Sequence, residues 1–141
     1  MIAIVAALLS RRPTVAALTA ATVWTADAIA LATKLAFDRP RPFVVEPTPR
    51  PLLLGVLGDS FPSAHAATSF AGAIVLMRWV PRSRRWVLAL LAVAIAFSRV
   101  YVGVHYPGDV IAGGALGALV AIALPRLVAI RPQSRRARRA G

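Results

Sequence analysis

Four apolar stretches, roughly residues 13 to 34, 61 to 80, 84 to 104 and 108 to 130, each approach the length of about 20 residues that a helix needs to cross a bilayer. None alternates strictly between apolar and polar residues as a half-buried strand does, and lipid leaves the backbone polar groups of an open strand without partners. The expected fold is therefore all-α, an integral membrane helical bundle of four full transmembrane helices. Residues 1 to 9, too short to span alone, are expected to form a short N-terminal helix. The hydrophobic fraction of 58% and mean hydropathy of +0.69 exceed what a soluble domain of 141 residues carries. Residues 1 to 130 read as a single membrane domain, and the run RPQSRRARRAG at 131 to 141 as a basic, disordered cytoplasmic tail. MIAIVAALLSRR lacks a positive leading region, so it does not read as a cleavable signal.

The net charge of +12 acquires meaning from position. Of the 17 basic residues, 12 fall at one set of helix ends (Arg11, Arg12, Arg78, Arg82, Arg84, Arg85, Arg126 and the tail), and Lys34, Arg39, Arg41, Arg50 and Arg99 fall at the other. The positive-inside rule makes the first face cytoplasmic and places the chain in a plasma or inner membrane with anionic lipid beside the arginines. A nucleic-acid partner is set aside, because the arginine tail has no interleaved aromatics and follows directly on a membrane span.

The sparser face holds three polar clusters: KLAFDRPRP closing the first span, FPSAH opening the second, and SRVYVGVHYPGD between the third and the fourth. Lys34, Arg41 and Arg99 are cationic donors, Ser63 adds a hydroxyl, and the amides near Ser63 and Ala64 stand at a helix start, where N–H groups favour an anion. Three cations near hydrocarbon are costly unless an anion offsets them, so the clusters read as a phosphate site. His105 and Asp109 are four apart across a Pro-Gly turn, close enough for the carboxylate to orient the imidazole as a nucleophile. His65 can face the same anion as a general acid. The chain has no cysteine, so any metal chemistry would have to rest on its two histidines and five acidic residues, a poor ligand inventory.

In these three elements the sequence resembles the type 2 phosphatidic acid phosphatases, with their Lys-x6-Arg-Pro, Pro-Ser-Gly-His and Ser-Arg-x5-His-x3-Asp patterns. Here they read Lys34 to Arg41-Pro42, Pro62-Ser63-Ala64-His65, and Ser98-Arg99 to His105 and Asp109, in order and at the family spacings. The resemblance covers about residues 14 to 128. It implies a metal-independent membrane phosphatase that acts on a lipid phosphate, with His105 forming a phosphohistidine, Asp109 steadying it and His65 protonating the leaving group. It further implies that Lys34, Arg41, Ser63, Ala64, Ser98 and Arg99 hold the phosphoryl oxygens. Ala64 stands where the family has glycine, which keeps the amide donor. The doubled RPRP makes Arg39 a rival to Arg41; spacing favours Arg41 and leaves Arg39 a peripheral contact.

The favoured substrate is a polyprenyl diphosphate such as undecaprenyl diphosphate, with phosphatidic acid, phosphatidylglycerophosphate or a polyprenyl-phosphoryl sugar phosphate as alternatives. A vanadate haloperoxidase shares such a site but is soluble. A protein that only binds phosphate lipids would not need both histidines. Oligomeric state and the role of residues 43 to 60 are left open. Asp27, inside the first span, is expected to face the bundle and hydrogen-bond there; Gly113 and Gly117 mark a close helix approach; Trp24, Trp79 and Trp86 read as core or interfacial aromatics.

Overall fold

A computed structural model describes residues 13–46, 52 and 58–129, so the short N-terminal helix and the basic tail expected from the sequence lie outside the described residues. Helix α1 is described over Pro13–Phe37. It stops where Asp38 turns left-handed (φ 44) ahead of Arg39-Pro40, a sequence that disfavours further helix. One helical turn, α2 (Pro42–Val45), lies in the proline-containing connection that follows. Helix α3, Ala64–Leu76, is capped by the Ser63 hydroxyl, which accepts the Ala66 N–H at 3.4 Å. A 3-10 turn, Arg82–Arg84, leads into α4, Arg85–Tyr101, and α5, Pro107–Ala129, follows. No strand occurs among the described residues.

The stretches Pro13–Val45 and Pro107–Leu127 are long and apolar enough to cross a membrane. The two middle helices are shorter than expected: the 13 residues of α3 reach about 20 Å and the 17 of α4 about 26 Å, against about 30 Å of hydrocarbon. Hydropathy alone ran past the ends of α3, because Phe61 and Pro62 precede its cap and Met77–Trp79 fold into a turn. Among the described residues two helices are thus long and apolar enough to span, and the two between them are shorter than the expected full-length spans.

Helix α3 is the centre of the bundle, in contact with α1, α4 and α5. Its buried residues are nearly all small, and Ala67 and Ala71 pack with Ala26 and Ala30 of α1 and Val120 of α5. Against α5 the approach is closer still, for a Cβ on Gly113 would collide with the Ser63 carbonyl oxygen and one on Gly117 with that of Ala67. The small-residue pair therefore serves the interior of the bundle. Buried Thr19 and Thr22 return their hydroxyls to the carbonyls of Val15 (2.8 Å) and Leu18 (2.7 Å), so neither needs a partner from another helix. At the far end, Pro125 has no N–H for the Ala121 carbonyl one turn earlier, and Arg78 Nη2 donates to that oxygen at 3.2 Å.

Large apolar side chains point outward, Leu35 at 79% exposure and Ile111 at 73%, as a lipid-facing surface requires. Trp24, Trp79 and Trp86 are exposed too, which removes them from the core. Asp27 corrects its expectation as well: it lies on the exposed face of α1, because the buried positions of that helix are Val15, Thr19, Thr22, Ala26 and Ala30.

The α3–α5 contact yields a test. Gly117→Ala should lower unfolding stability in detergent by about 2–3 kcal/mol, since backbone atoms of α3 must move aside. Gly108→Ala, with nothing within 4 Å of the added carbon, should lose less than about 0.5 kcal/mol in the same thermal melt.

Candidate active site

Alternating helix direction brings the C-terminal ends of α1 and α4 and the N-terminal ends of α3 and α5 to one end of the bundle. The joins are specific. The Ser63 N–H donates to the Asp109 carbonyl at 2.9 Å, fixing the start of α3 to the first turn of α5. The Arg99 carbonyl accepts the N–H groups of Val104 and His105, both at 3.2 Å, so the end of α4 sets the height of His105. Gly103, left-handed at φ 76, permits the tight reversal between them.

Between these ends lies a cavity of about 260 Å³ lined by Lys34, Arg41, Ala64, His65, Arg99, Val104 and His105. Three cations and both histidines, from three separate pieces of chain, therefore share one cup. Lys34 Nζ donates to the Asp59 carbonyl (2.5 Å), and Arg41 donates to the carbonyls of Gly58 (2.8 Å) and Val104 (2.9 Å). Residues 58–60 thus belong to the site through their backbone, a role the sequence leaves open; the GDS run before FPSAH, with Gly58 at φ 76, is its only outward mark.

His105 is 5% exposed and Asp109 fully buried. Arg41 Nη1 stands 3.4 Å from His105 Nε2, and since a guanidinium only donates, this contact favours the tautomer with Nε2 as acceptor and Nδ1 as the N–H. That N–H faces Asp109 Oδ2 at 3.5 Å, an orienting distance too long for a hydrogen bond in this state. Burial first, then the Arg41 and Lys34 cations, push the imidazole below its ordinary 6.5 to about 4, against the pull of Asp109. The geometry presents a neutral imidazole whose lone pair opens among cations.

Not every expected phosphate contact lines the cup. Ser63 is buried and its hydroxyl caps α3, while Ala64 does face the cavity. The Ser98 hydroxyl donates to the Ile95 carbonyl (2.7 Å) and accepts from Arg99 Nε (3.1 Å), so it steadies an arginine at the rim. Arg39, expected at the periphery, forms an ion pair with Asp109 Oδ1 at 2.8 Å. Among the described residues no three His, Cys, Asp or Glu side chains are grouped so as to hold a metal ion.

Residues 14–132 match the PAP2 superfamily. The chain is 42% identical over 91 residues to the putative undecaprenyl-diphosphatase YbjG of Escherichia coli, an alignment covering 60% of this chain and 44% of that protein. The crystal structure of Aquifex aeolicus LpxE superposes with a TM-score of 0.72 at 28% identity, covering 82% of this chain and 69% of the other. That of a transmembrane PAP2 type phosphatidylglycerolphosphate phosphatase from Bacillus subtilis gives a TM-score of 0.66 at 25% identity, covering 95% and 70%. The chain spans less than half the length of curated relatives that it matches. Since the match runs through all three polar clusters and nearly the whole described bundle, this chain belongs to the PAP2 superfamily.

Proposed function

We propose that the protein is a membrane lipid phosphate phosphatase working through a covalent phosphohistidine, with a polyprenyl diphosphate such as undecaprenyl diphosphate as the favoured substrate. The observation that carries the reading is the neutral, buried His105 Nε2 opening into a cup shared with Lys34, Arg41, Arg99 and His65. The substrate preference rests on the name of the Escherichia coli relative.

The phosphoryl group enters with its oxygens among the three cations and the Ala64 amide. His105 Nε2 attacks phosphorus, the bond to the leaving oxygen breaks, and protonated His65 supplies the proton that oxygen needs. Asp109 holds the Nδ1 side of the ring as positive charge develops on it. Water, deprotonated by the now neutral His65, then attacks the phosphohistidine; the N–P bond breaks and inorganic phosphate leaves. The fixed cations stabilise the equatorial oxygens in both steps, and such donors are each worth about 3 kcal/mol when removed elsewhere.

The topology reading places the arginine-rich end in the cytoplasm and the cup on the non-cytoplasmic side. With α3 only about 20 Å long, the floor of the cup sits inside the outer half of the bilayer, where a lipid headgroup is presented while its tail stays in hydrocarbon.

Phosphate release from undecaprenyl diphosphate in detergent is expected to persist in a chelator, to be blocked by vanadate, and to fall about 10³-fold or more in His105→Ala with the thermal melt retained. Chelator-sensitive turnover, or turnover surviving His105→Ala, refutes the mechanism. A second test concerns pH. Protonating His105 removes the attacking lone pair, and the folded protein holds it neutral below 6.5, so kcat/KM should persist below pH 6.5 and lose its His105 contribution only near pH 4. An acid break at or above 6.5 tracing to His105 contradicts the electrostatics of the cup.

A further inference from the structure

The dipeptide repeat Arg39-Pro40-Arg41-Pro42 places two arginines on one short, non-helical piece of chain. Proline after each arginine disfavours helix, and in an extended backbone residues two apart project to the same side. Both guanidiniums accordingly meet the His105–Asp109 pair, one at each end. Arg41 stands at Nε2 of the imidazole, and Arg39 Nη1 donates to Asp109 Oδ1 at 2.8 Å.

Arg39 is held at three points. Besides the carboxylate, its guanidinium lies over the Tyr106 ring at 4.3 Å from the centroid, and its carbonyl accepts the Ser60 N–H at 2.8 Å. Surface ion pairs are normally weak because both side chains must be ordered, but here one partner is fully buried and the other is clamped on an aromatic face. The remaining carboxylate oxygen, Oδ2, accepts the Tyr106 N–H at 2.9 Å and faces His105 Nδ1.

We infer that Arg39 is a positioning residue of the reaction, acting on His105 through Asp109 and not on the phosphate. By occupying Oδ1 it fixes the carboxylate with Oδ2 toward the ring, and by drawing on the carboxylate's charge it limits how strongly Asp109 favours the imidazolium. The charged and titratable groups facing His105 are then Asp109 and, around the cup, Lys34, Arg41, Arg99 and His65. With Arg39 neutralised, the carboxylate acts on the imidazole undivided, and His105 binds a proton more readily. The assignment rests on the phosphatase reading for its meaning in turnover, while the coupling it describes exists in the resting protein.

The chain has two histidines, so with any affinity tag removed His65→Gln leaves His105 as the one imidazole to follow by NMR titration in detergent. Adding Arg39→Gln should raise its midpoint by about half a pH unit, the size expected of a partly exposed charge acting through one neighbour, and Arg39→Lys should return it toward the starting value. In the protein with both histidines, Arg39→Gln should lower kcat for farnesyl diphosphate about tenfold and leave KM within about twofold, with Arg39→Lys restoring part of the rate. A midpoint that ignores Arg39 overturns the inference, as does a large rise in KM with kcat intact, which would make Arg39 a phosphate ligand. The two readings separate. A titration shift in a protein without phosphatase activity keeps the coupling and sinks the phosphatase, whereas His105-dependent turnover with an unmoved titration keeps the phosphatase and sinks the role of Arg39.

Discussion

One backbone contact holds the site together: the Ser63 N–H on the Asp109 carbonyl, made possible because Gly113 and Gly117 let α5 lie against the carbonyls of α3. Side chains can adjust to small shifts, but two backbones in direct contact have one workable spacing. That spacing sets His65, in the first turn of α3, against the loop that carries His105 into α5. The Arg99 carbonyl then brings the end of α4 to the same loop, and Lys34 and Arg41 close the cup from α1 and its extension through the carbonyls of residues 58, 59 and 104.

The cations serve two ends with one arrangement. Aimed at the cavity, they supply the positive field that a phosphoryl group needs; acting on His105, the Lys34 and Arg41 charges add to its burial and keep the ring neutral. An incoming phosphate offsets those same charges. In the proposed reaction the imidazole is therefore unprotonated while the cup is empty, and it gains electron-donating power as substrate arrives, when Asp109 becomes the nearest opposing influence on it. Arg39 tempers that influence from the other side of the carboxylate.

Much of this was legible in the sequence, and the reasons differ by residue. Lys34, Arg41, His65, Arg99 and His105 could be read because each stands at the end of an apolar run, and runs of alternating direction bring such ends together. The ion pair of Arg39 with Asp109 was not readable, since spacing within RPRP cannot say which helix will dock beside it. The Ser63 and Ser98 hydroxyls went to a cap and to a neighbouring arginine because helix ends have local claims on hydroxyls that compete with any ligand. Asp27 misled for a related reason: an acid within an apolar run argues for a partner, but only the packing of Ala26 and Ala30 on α3 decides which way the helix turns. Residues 58 and 59 contribute carbonyl oxygens, which every residue type carries, so only the GDS run hints at them in the sequence.

Arg78 is one of the charges assigned to the cytoplasmic end, yet its guanidinium also supplies the hydrogen bond that Pro125 denies to the Ala121 carbonyl. A buried carbonyl left without a donor costs about 1–3 kcal/mol, more where no water reaches it, so this arginine joins the turn after α3 to the last turns of α5. The same helix pair is therefore tied at both ends, by Ser63 on Asp109 and by Arg78 on Ala121, with the glycine contact between. An α3 of 13 residues held this way cannot slide along α5, and the depth of the cup follows from the length of α3 and from where its two ends are fastened.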